Sequence, residues 1–247
     1  MYKRQNNKCA EAVAVAAEAC AEDTKGQTCY ICTQALHWKT KESLVRGCAC
    51  RGTAGFAHVS CLAEQAKILF AEAEENNLDY KAKIERWNRW DTCSLCEQEY
   101  HGVVRCALGW ACWKTYLGRP EGSELRQIAM GQLGNALYEV LERKDALSVQ
   151  EALLSLYRRL GADPENILAL QSNIAIGYHQ LGRLEESAHK QRDVYSARLR
   201  LNGEEHLETL GAANNYSASL LSLRRFEEAR SLLRKTVPVA RLSLIHI

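Results

Sequence analysis

Four closely spaced pairs of cysteine and histidine constrain this chain more than any other feature of its sequence. The first pair is Cys29-x-x-Cys32, and fifteen residues later comes Cys48-x-Cys50. Seven residues separate that pair from His58-x-x-Cys61, and thirty-one more lead to Cys93-x-x-Cys96. Two such side chains on a tight turn can converge on one ion, and a structural zinc site takes four ligands in a tetrahedron. The eight side chains therefore supply two zinc sites with none left over.

The spacing leaves the pairing of these ligands open. In a sequential arrangement, the first four would hold one zinc ion and the last four the other. In an interleaved arrangement, the first ion is held by Cys29, Cys32, His58 and Cys61, and the second by Cys48, Cys50, Cys93 and Cys96. His37 and His101 flank the set without a partner at short spacing, so we expect both to be solvated surface histidines.

The order and spacing of the ligands resemble the RING-CH domain. The resemblance rests on Cys29-Tyr-Ile-Cys32, on Cys48-Ala-Cys50-Arg-Gly-Thr-Ala-Gly-Phe-Ala-His58 and on Cys93-Ser-Leu-Cys96-Glu-Gln-Glu-Tyr100. It spans residues 29–100 and implies the interleaved, cross-braced pairing, with two structural Zn²⁺ ions in a small RING-like α+β domain.

The same resemblance implies an activity. RING-CH domains are ubiquitin ligases that bind a ubiquitin-charged conjugating enzyme and hold its thioester in a reactive pose. Because the rate enhancement comes from positioning the reactants, we expect no catalytic residue that acts as an acid, a base or a nucleophile. By resemblance, Ile31 would contact the conjugating enzyme from the first zinc loop, and Leu95 would contact it from the last.

Three departures from the family pattern leave other functions open. Gln65 stands where the family commonly has Trp, Glu97 stands where a cation often follows the eighth ligand, and the gap before Cys93 is longer than usual. A zinc-stabilised scaffold or adaptor without ligase activity is the main alternative, and a PHD-like reader of histone tails is a further one. Trp87 and Trp90 would either supply the missing aromatic surface or pack against the helices that follow.

The second half of the chain repeats itself. The segments LQSNIAIGYHQLGRLEESA (170–188) and ANNYSASLLSLRRFEEAR (213–230) superimpose at an offset of 42 residues. A weaker copy lies 41 residues upstream, with Leu133 in the place of Ile174. In each copy, small residues recur between apolar ones, which predicts two antiparallel helices that approach closely.

These repeats resemble the tetratricopeptide family over about 125–241, in its long-period, kinesin-light-chain type. The loop LNGEEHLETLGAANNY (201–216) carries the likeness to that type. The resemblance implies an all-α solenoid that grips a peptide segment of a protein substrate or adaptor. A helical hairpin over 103–117 is expected to cap the array.

Both termini encode strands of one sequencing adapter. Leu242–Ile247 is encoded by CTG TCT CTT ATA CAC ATC, and the reverse complement of that DNA encodes Tyr-Lys-Arg-Gln after a GTG start. We therefore expect residues 1–5 and 242–247 to be adapter-derived scars on a truncated array. The predicted organisation between them is a helical lead-in at 6–26, a zinc domain at 27–101, a capping helix and linker at 102–124 and repeats at 125–241.

Composition excludes several classes of protein. The formal charge of +2 falls slightly below zero once seven thiolates and two zinc ions are counted, so we expect neither nucleic acid nor an anionic membrane as partner. No apolar run reaches the roughly eighteen residues of a membrane span. Eleven cysteines at metal-like spacing, with only three prolines, disfavour a secreted disulfide scaffold. An intracellular, cytoplasmic setting is expected.

Overall fold

The computed structural model describes residues 2–245, with side chains over 7–238, so the predicted adapter-derived ends lie outside the described side chains. Its helices are α1 (Tyr2–Ala19), α2 (Val59–Glu75), α3 (Tyr80–Trp87), α4 (Gly102–Tyr116), α5 (Glu124–Glu139), α6 (Arg143–Leu160), α7 (Pro164–Gln180), α8 (Leu184–Asn202), α9 (Leu207–Ser222) and α10 (Phe226–Ile245). The chain divides into two compact units, Met1–Glu142 and Arg143–Ile247. None of the helices within 2–245 combines the length and the apolar character that crossing a bilayer requires.

Helix α4 is the centre of the first unit and packs against α1, α2 and α5. Its Leu108 is fully buried in a core that also contains Ala16 of α1 and Leu62 of α2. The predicted hairpin over 103–117 is wrong, because this segment forms one continuous helix. Gly109 lies in its middle, where an added Cβ would sit 2.9 Å from the Cβ of Ala136 in α5. Glycine here permits a close helix contact and makes no turn.

The zinc-ligand region of the first unit consists of loops around α2 and α3. Helix α2 contains Cys61, and α3 follows it along the chain. Among the described residues, no strand forms, and the β part of the expected α+β domain is limited to the isolated antiparallel bridges Val45–Ala57 and Thr92–Glu99. The structure therefore does not show the predicted α+β domain. Tight turns around closely spaced ligand pairs leave too few extended residues for a hydrogen-bonded ladder.

The two tryptophans before Cys93 are buried, so the packing interpretation is the one that the structure supports. Trp90 has no exposed surface, and the ring of Trp87 lies 5.2 Å from those of both Phe70 and Tyr116. Trp87 Nε1 also donates a hydrogen bond to Gln132 Oε1 at 3.2 Å. This aromatic cluster holds α3 against α2, α4 and α5 and offers no aromatic docking surface.

Consecutive helices pack on one another along the second unit, from α6 on α7 to α9 on α10. Ile174 of α7 is fully buried, as its place in the repeat predicts. In the seam between α7 and α8, Ser187 Oγ donates a 2.7 Å hydrogen bond to the Ala175 carbonyl. The two helices can approach this closely only because Ala175 and Ser187 both have small side chains. The predicted all-α solenoid is confirmed for this unit.

The weaker first copy of the repeat is divided between the units. Leu133 and Leu137 of α5 and Ala146 of α6 are buried, as the pattern predicts. However, α5 packs on α4 within the first unit, whereas α6 packs on α7 within the second. The predicted domain bounds stay a prediction.

The repeat core provides a stability test with a matched control in the same helix. We expect Ile174→Ala to lower the free energy of unfolding of the second unit by about 2–5 kcal/mol, because it empties a buried site. Ile176→Ala removes the same atoms from a side chain that is 41% exposed and should cost under about 1 kcal/mol. Urea unfolding followed by circular dichroism measures both, and equal losses would contradict the proposed core.

Candidate metal centres

Eight side chains gather in two clusters, and within each cluster the potential ligand atoms lie within 4.8 Å of one another. The first cluster contains Cys29, Cys32, His58 and Cys61, and the second contains Cys48, Cys50, Cys93 and Cys96. This is the interleaved grouping, in which each cluster joins two segments that are separated by a segment of the other. The sequential grouping is therefore wrong. Each cluster can bind one metal ion, and two such sites fit a two-zinc domain.

Interatomic distances in both clusters fit a tetrahedral zinc ion. With Zn–S bonds of about 2.3 Å and Zn–N bonds of about 2.0–2.1 Å, two sulfurs would lie about 3.8 Å apart and a sulfur and a nitrogen about 3.5 Å apart. The sulfurs of Cys50 and Cys93 are separated by 3.8 Å. His58 Nδ1 lies 3.4 Å from the sulfur of Cys32 and 3.6 Å from that of Cys61.

The first and last ligand pairs form two turns with the same hydrogen bonds, which we call knuckle 1 (residues 29–34) and knuckle 2 (residues 93–98). In knuckle 1 the N–H of Ile31 points at Cys29 Sγ (3.4 Å), and in knuckle 2 the N–H of Leu95 points at Cys93 Sγ (3.4 Å). The N–H of the residue after each pair donates to the carbonyl of the first cysteine, at 2.8 and 3.0 Å. The short motif Cys-x-x-Cys thus sets the same local structure twice.

His58 is oriented for binding through Nδ1. It is the residue that precedes α2, and its ring is fully buried. Nε2 lies 3.4 Å from the Ala35 carbonyl, so it carries the proton and donates it there, which leaves the lone pair of Nδ1 directed at the sulfurs. Burial lowers the pKa of His58, which favours the neutral imidazole that a metal requires.

The loop that contains Cys48 and Cys50 is closed by a backbone bridge and contains a closely packed glycine. The bridge between Val45 and Ala57 closes the loop that contains both cysteines, with N–H···O distances of 2.8 and 3.1 Å. Gly55 in that loop has φ +84°, and a Cβ there would lie 2.6 Å from Cys50 Cβ and 3.3 Å from Cys48 Sγ. Glycine is thus required at Gly55 for both its backbone conformation and its closeness to the ligands.

The thiols of the clusters differ in acidity before any metal binds. Burial raises the pKa of Cys48 and of Cys61, and raises that of Cys50 to about 11. At Cys96, burial is outweighed by the Gln98 N–H and the neighbouring thiols, so its pKa falls to about 7. Since a coordinated thiol is deprotonated, metal binding at either cluster displaces protons.

The structure corrects the prediction for one flanking histidine. His37 is buried, with its ring 5.3 Å from that of His58, and is not a solvated surface residue. Its Nδ1 accepts a hydrogen bond from the N–H of Thr40 at 3.1 Å, so it supports a turn beside the first cluster. His101 is exposed, as predicted.

The residues predicted to contact a conjugating enzyme occupy the same position of the two knuckles. Ile31 is half-buried and Leu95 is 51% exposed. Tyr30 of knuckle 1 reaches knuckle 2, with its hydroxyl 3.1 Å from Ser94 Oγ and 3.5 Å from Gln65 Oε1. Gln65 thus contacts Tyr30 of knuckle 1. Sequence reasoning missed the linking role of Tyr30, for which its place beside Cys29 is the only signal.

Glu97, the residue after the eighth ligand, is bound by an arginine from outside the motif. Arg89 Nη1 and Nη2 each lie 3.1 Å from one carboxylate oxygen of Glu97, and Nη1 also donates to the Cys93 carbonyl at 3.2 Å. Glu97 has φ +56°, a conformation that a non-glycine residue rarely adopts. The bidentate pair helps to hold knuckle 2 in this conformation.

Two sequence families match separate parts of the chain. Residues 29–98 match the RING-variant domain, and residues 166–241 match the tetratricopeptide repeat. The first match contains all eight side chains of the two clusters, and the second contains α8 and α9 whole. No curated protein matches the chain.

Solved structures also resemble the chain, over about three quarters of its length. BtubC (BKLC) from P. vanneervenii has a TM-score of 0.55 and 13% identity, over 74% of this chain and 72% of that one. A Podosopora anserina protein of the kinesin light chain kind, with nearly identical TPR-like repeats, has a TM-score of 0.48 and 15% identity, over 74% of this chain and 96% of that one. At such identities the first likeness shows the fold alone.

Two glycines of one loop provide a test of the second cluster. We expect Gly55→Ala to reduce the zinc content from two ions per chain towards one, because the new Cβ would collide with Cys50. Gly52→Ala is the control, since Gly52 also has a positive φ (+61°) but no neighbour within 4 Å of an added Cβ. Elemental analysis of gel-filtered protein measures the ratio, and full zinc content in both variants would contradict the geometry.

Proposed function

We propose that this chain is a RING-type ubiquitin ligase, in which the metal-held knuckles dock a ubiquitin-charged conjugating enzyme and the repeats recruit a protein substrate. The supporting observation is the pair of interleaved clusters within a segment that matches the RING-variant domain. The proposal assigns one structural Zn²⁺ ion to each cluster, with all four side chains of the cluster as ligands. Reduced thiols are required for such sites, so we propose a reducing, cytoplasmic setting.

The donor sets support a structural role for the metals. Each cluster offers four protein ligands, so a tetrahedral zinc ion would have no open position for substrate or water. When bound, the ions supply cross-links that order the loops, and they take no part in the transfer itself. Ubiquitin transfer would then depend on the protein surface that the loops present.

The knuckles provide an apolar surface with a fixed separation. Ile31 and Leu95 stand at equivalent turn positions, and Tyr30 ties the two turns together through Ser94. A conjugating enzyme that contacts both knuckles would be held in one orientation, with its thioester placed for attack by a substrate lysine. Orientation alone can supply a large part of a rate enhancement, so no nucleophile is needed in this chain.

The second unit supports the proposed role in substrate recruitment. Tetratricopeptide-type helices there border an open groove of about 570 Å³, with Tyr178, His189 and Arg225 among its lining residues. A groove of this size accepts part of an extended peptide, and its mixture of aromatic and charged side chains suits a polar segment.

The second candidate is a zinc-stabilised scaffold that transfers no ubiquitin. It is favoured by the pairing of Glu97 with Arg89, which neutralises the position where the resemblance leads us to expect a cation. Gln65 in place of the expected Trp also favours it. Both candidates require the two metal ions, so zinc content does not distinguish them, whereas ubiquitin transfer does.

Ubiquitin transfer assays separate these candidates. With a panel of conjugating enzymes, ubiquitin and zinc-loaded chain, we expect polyubiquitin to form and Ile31→Ala to reduce its rate at least about tenfold, through loss of an apolar contact at the centre of an interface. Val15→Ala is the control, because Val15 is 52% exposed on α1 and lines a hollow with Val103 and Trp110 of α4. Absence of transfer with every enzyme in the panel would reject the ligase in favour of the scaffold.

A further inference from the structure

A second surface of the first unit has the features of a binding groove. It has a volume of about 870 Å³ and lies between α1, α2, α4 and the turn at residues 37–40. Its floor is apolar and is formed by Val13, Val59, Ala63 and Ala111. This volume is within the range of about 300–1,000 Å³ that is typical of ligand sites.

The rim of this groove is basic. Lys39, Lys67 and Lys114 line it, and Glu64 is the one acidic residue in the lining. Glu64 is already paired with Lys67 at 3.2 Å. Among the described residues, no carboxylate forms an ion pair with Lys39 or Lys114, so an occupant with negative charge would gain two new partners.

An exposed tryptophan stands at the same rim. Trp38 has 68% of its surface exposed, whereas Trp87 and Trp90 are buried. Its neighbour His37 is fixed by Thr40, so the turn that carries the indole is ordered. Aromatic side chains of this kind are typical anchors of protein interfaces, because a large apolar area is buried with little loss of side-chain freedom.

We propose that this groove binds an acidic peptide segment of a partner protein that also carries aliphatic or aromatic side chains. The carboxylates would meet Lys39 and Lys114, and the apolar side chains would lie on the floor and against Trp38. The apolar floor favours a peptide over a nucleic acid, whose recognition needs a longer track of cations along the phosphates.

The groove can be tested separately from ubiquitin transfer. Ser60, Ala63 and Lys67 line it from one face of α2, at spacings of three and four residues. Gln65, which contacts Tyr30 of knuckle 1, is on another face of the same helix. Ile31→Ala should therefore leave peptide binding unchanged, and failure of either proposal would not imply failure of the other.

The experiment is fluorescence anisotropy with the zinc-loaded chain and a labelled peptide, Glu-Glu-Leu-Phe-Asp-Glu-Asp. The matched probe has Gln and Asn in place of every Glu and Asp. We expect the acidic peptide to bind, the neutral peptide to bind at least about tenfold more weakly, and about 0.5 M NaCl to weaken the acidic complex, because exposed charges are screened.

Charge-reversal variants locate the site. Lys39→Glu with Lys114→Glu, and separately Trp38→Ala, should weaken binding about tenfold or more. Lys25→Glu with Lys81→Glu makes the same change of charge at two exposed lysines outside the groove and should have little effect. Circular dichroism and zinc content verify that each variant is folded.

Three results would overturn the proposal. The first is no binding of the acidic peptide, and the second is equal weakening by both charge-reversal pairs, which would indicate general attraction to a basic surface. The third is concentration-dependent dimerisation of the chain that is lost in Trp38→Ala, measured by sedimentation equilibrium. The groove would then be an interface between two copies.

Discussion

Cross-bracing by two metal clusters is the constraint on which the ordered loops of the first unit depend. Knuckle 1 and α2 meet at one cluster, the loop around Cys48 and knuckle 2 meet at the other, and each cluster joins segments that are far apart in sequence. Within residues 2–245 these loops have two isolated bridges and no sheet to hold them. Metal ligation provides the cross-links that a sheet would otherwise supply, and its free energy contributes directly to folding.

In the proposed ligase, the same geometry would promote transfer by orienting a partner. The two knuckles repeat one local structure, and Tyr30 joins them, so the side chains at their tips are fixed relative to one another. A partner that contacts both tips is oriented by them. The Arg89–Glu97 pair adds a further restraint on knuckle 2 from outside the ligand motif.

The repeats illustrate how far a periodic sequence can be interpreted. Ile174 and Ala175 are buried where the pattern requires, since the period of a helical repeat directly reflects which face packs. The pattern was less informative for α5, whose Leu133 and Leu137 are buried in a helix that packs on α4. A small-apolar pattern specifies that a helix face is buried, but it does not specify the helix that covers it.

The sequence by itself determined the ligands, the two knuckles and the helical repeats, because each depends on residues that are close together along the chain. Tertiary structure alone decided that His37 is buried beside His58 and that Gly109 serves a helix contact, and it confirmed the interleaved pairing that spacing leaves open and the family resemblance implies. It also placed Trp38, Lys39 and Lys114 around one groove. These outcomes depend on which distant segments meet, and spacing along the chain carries no information about that.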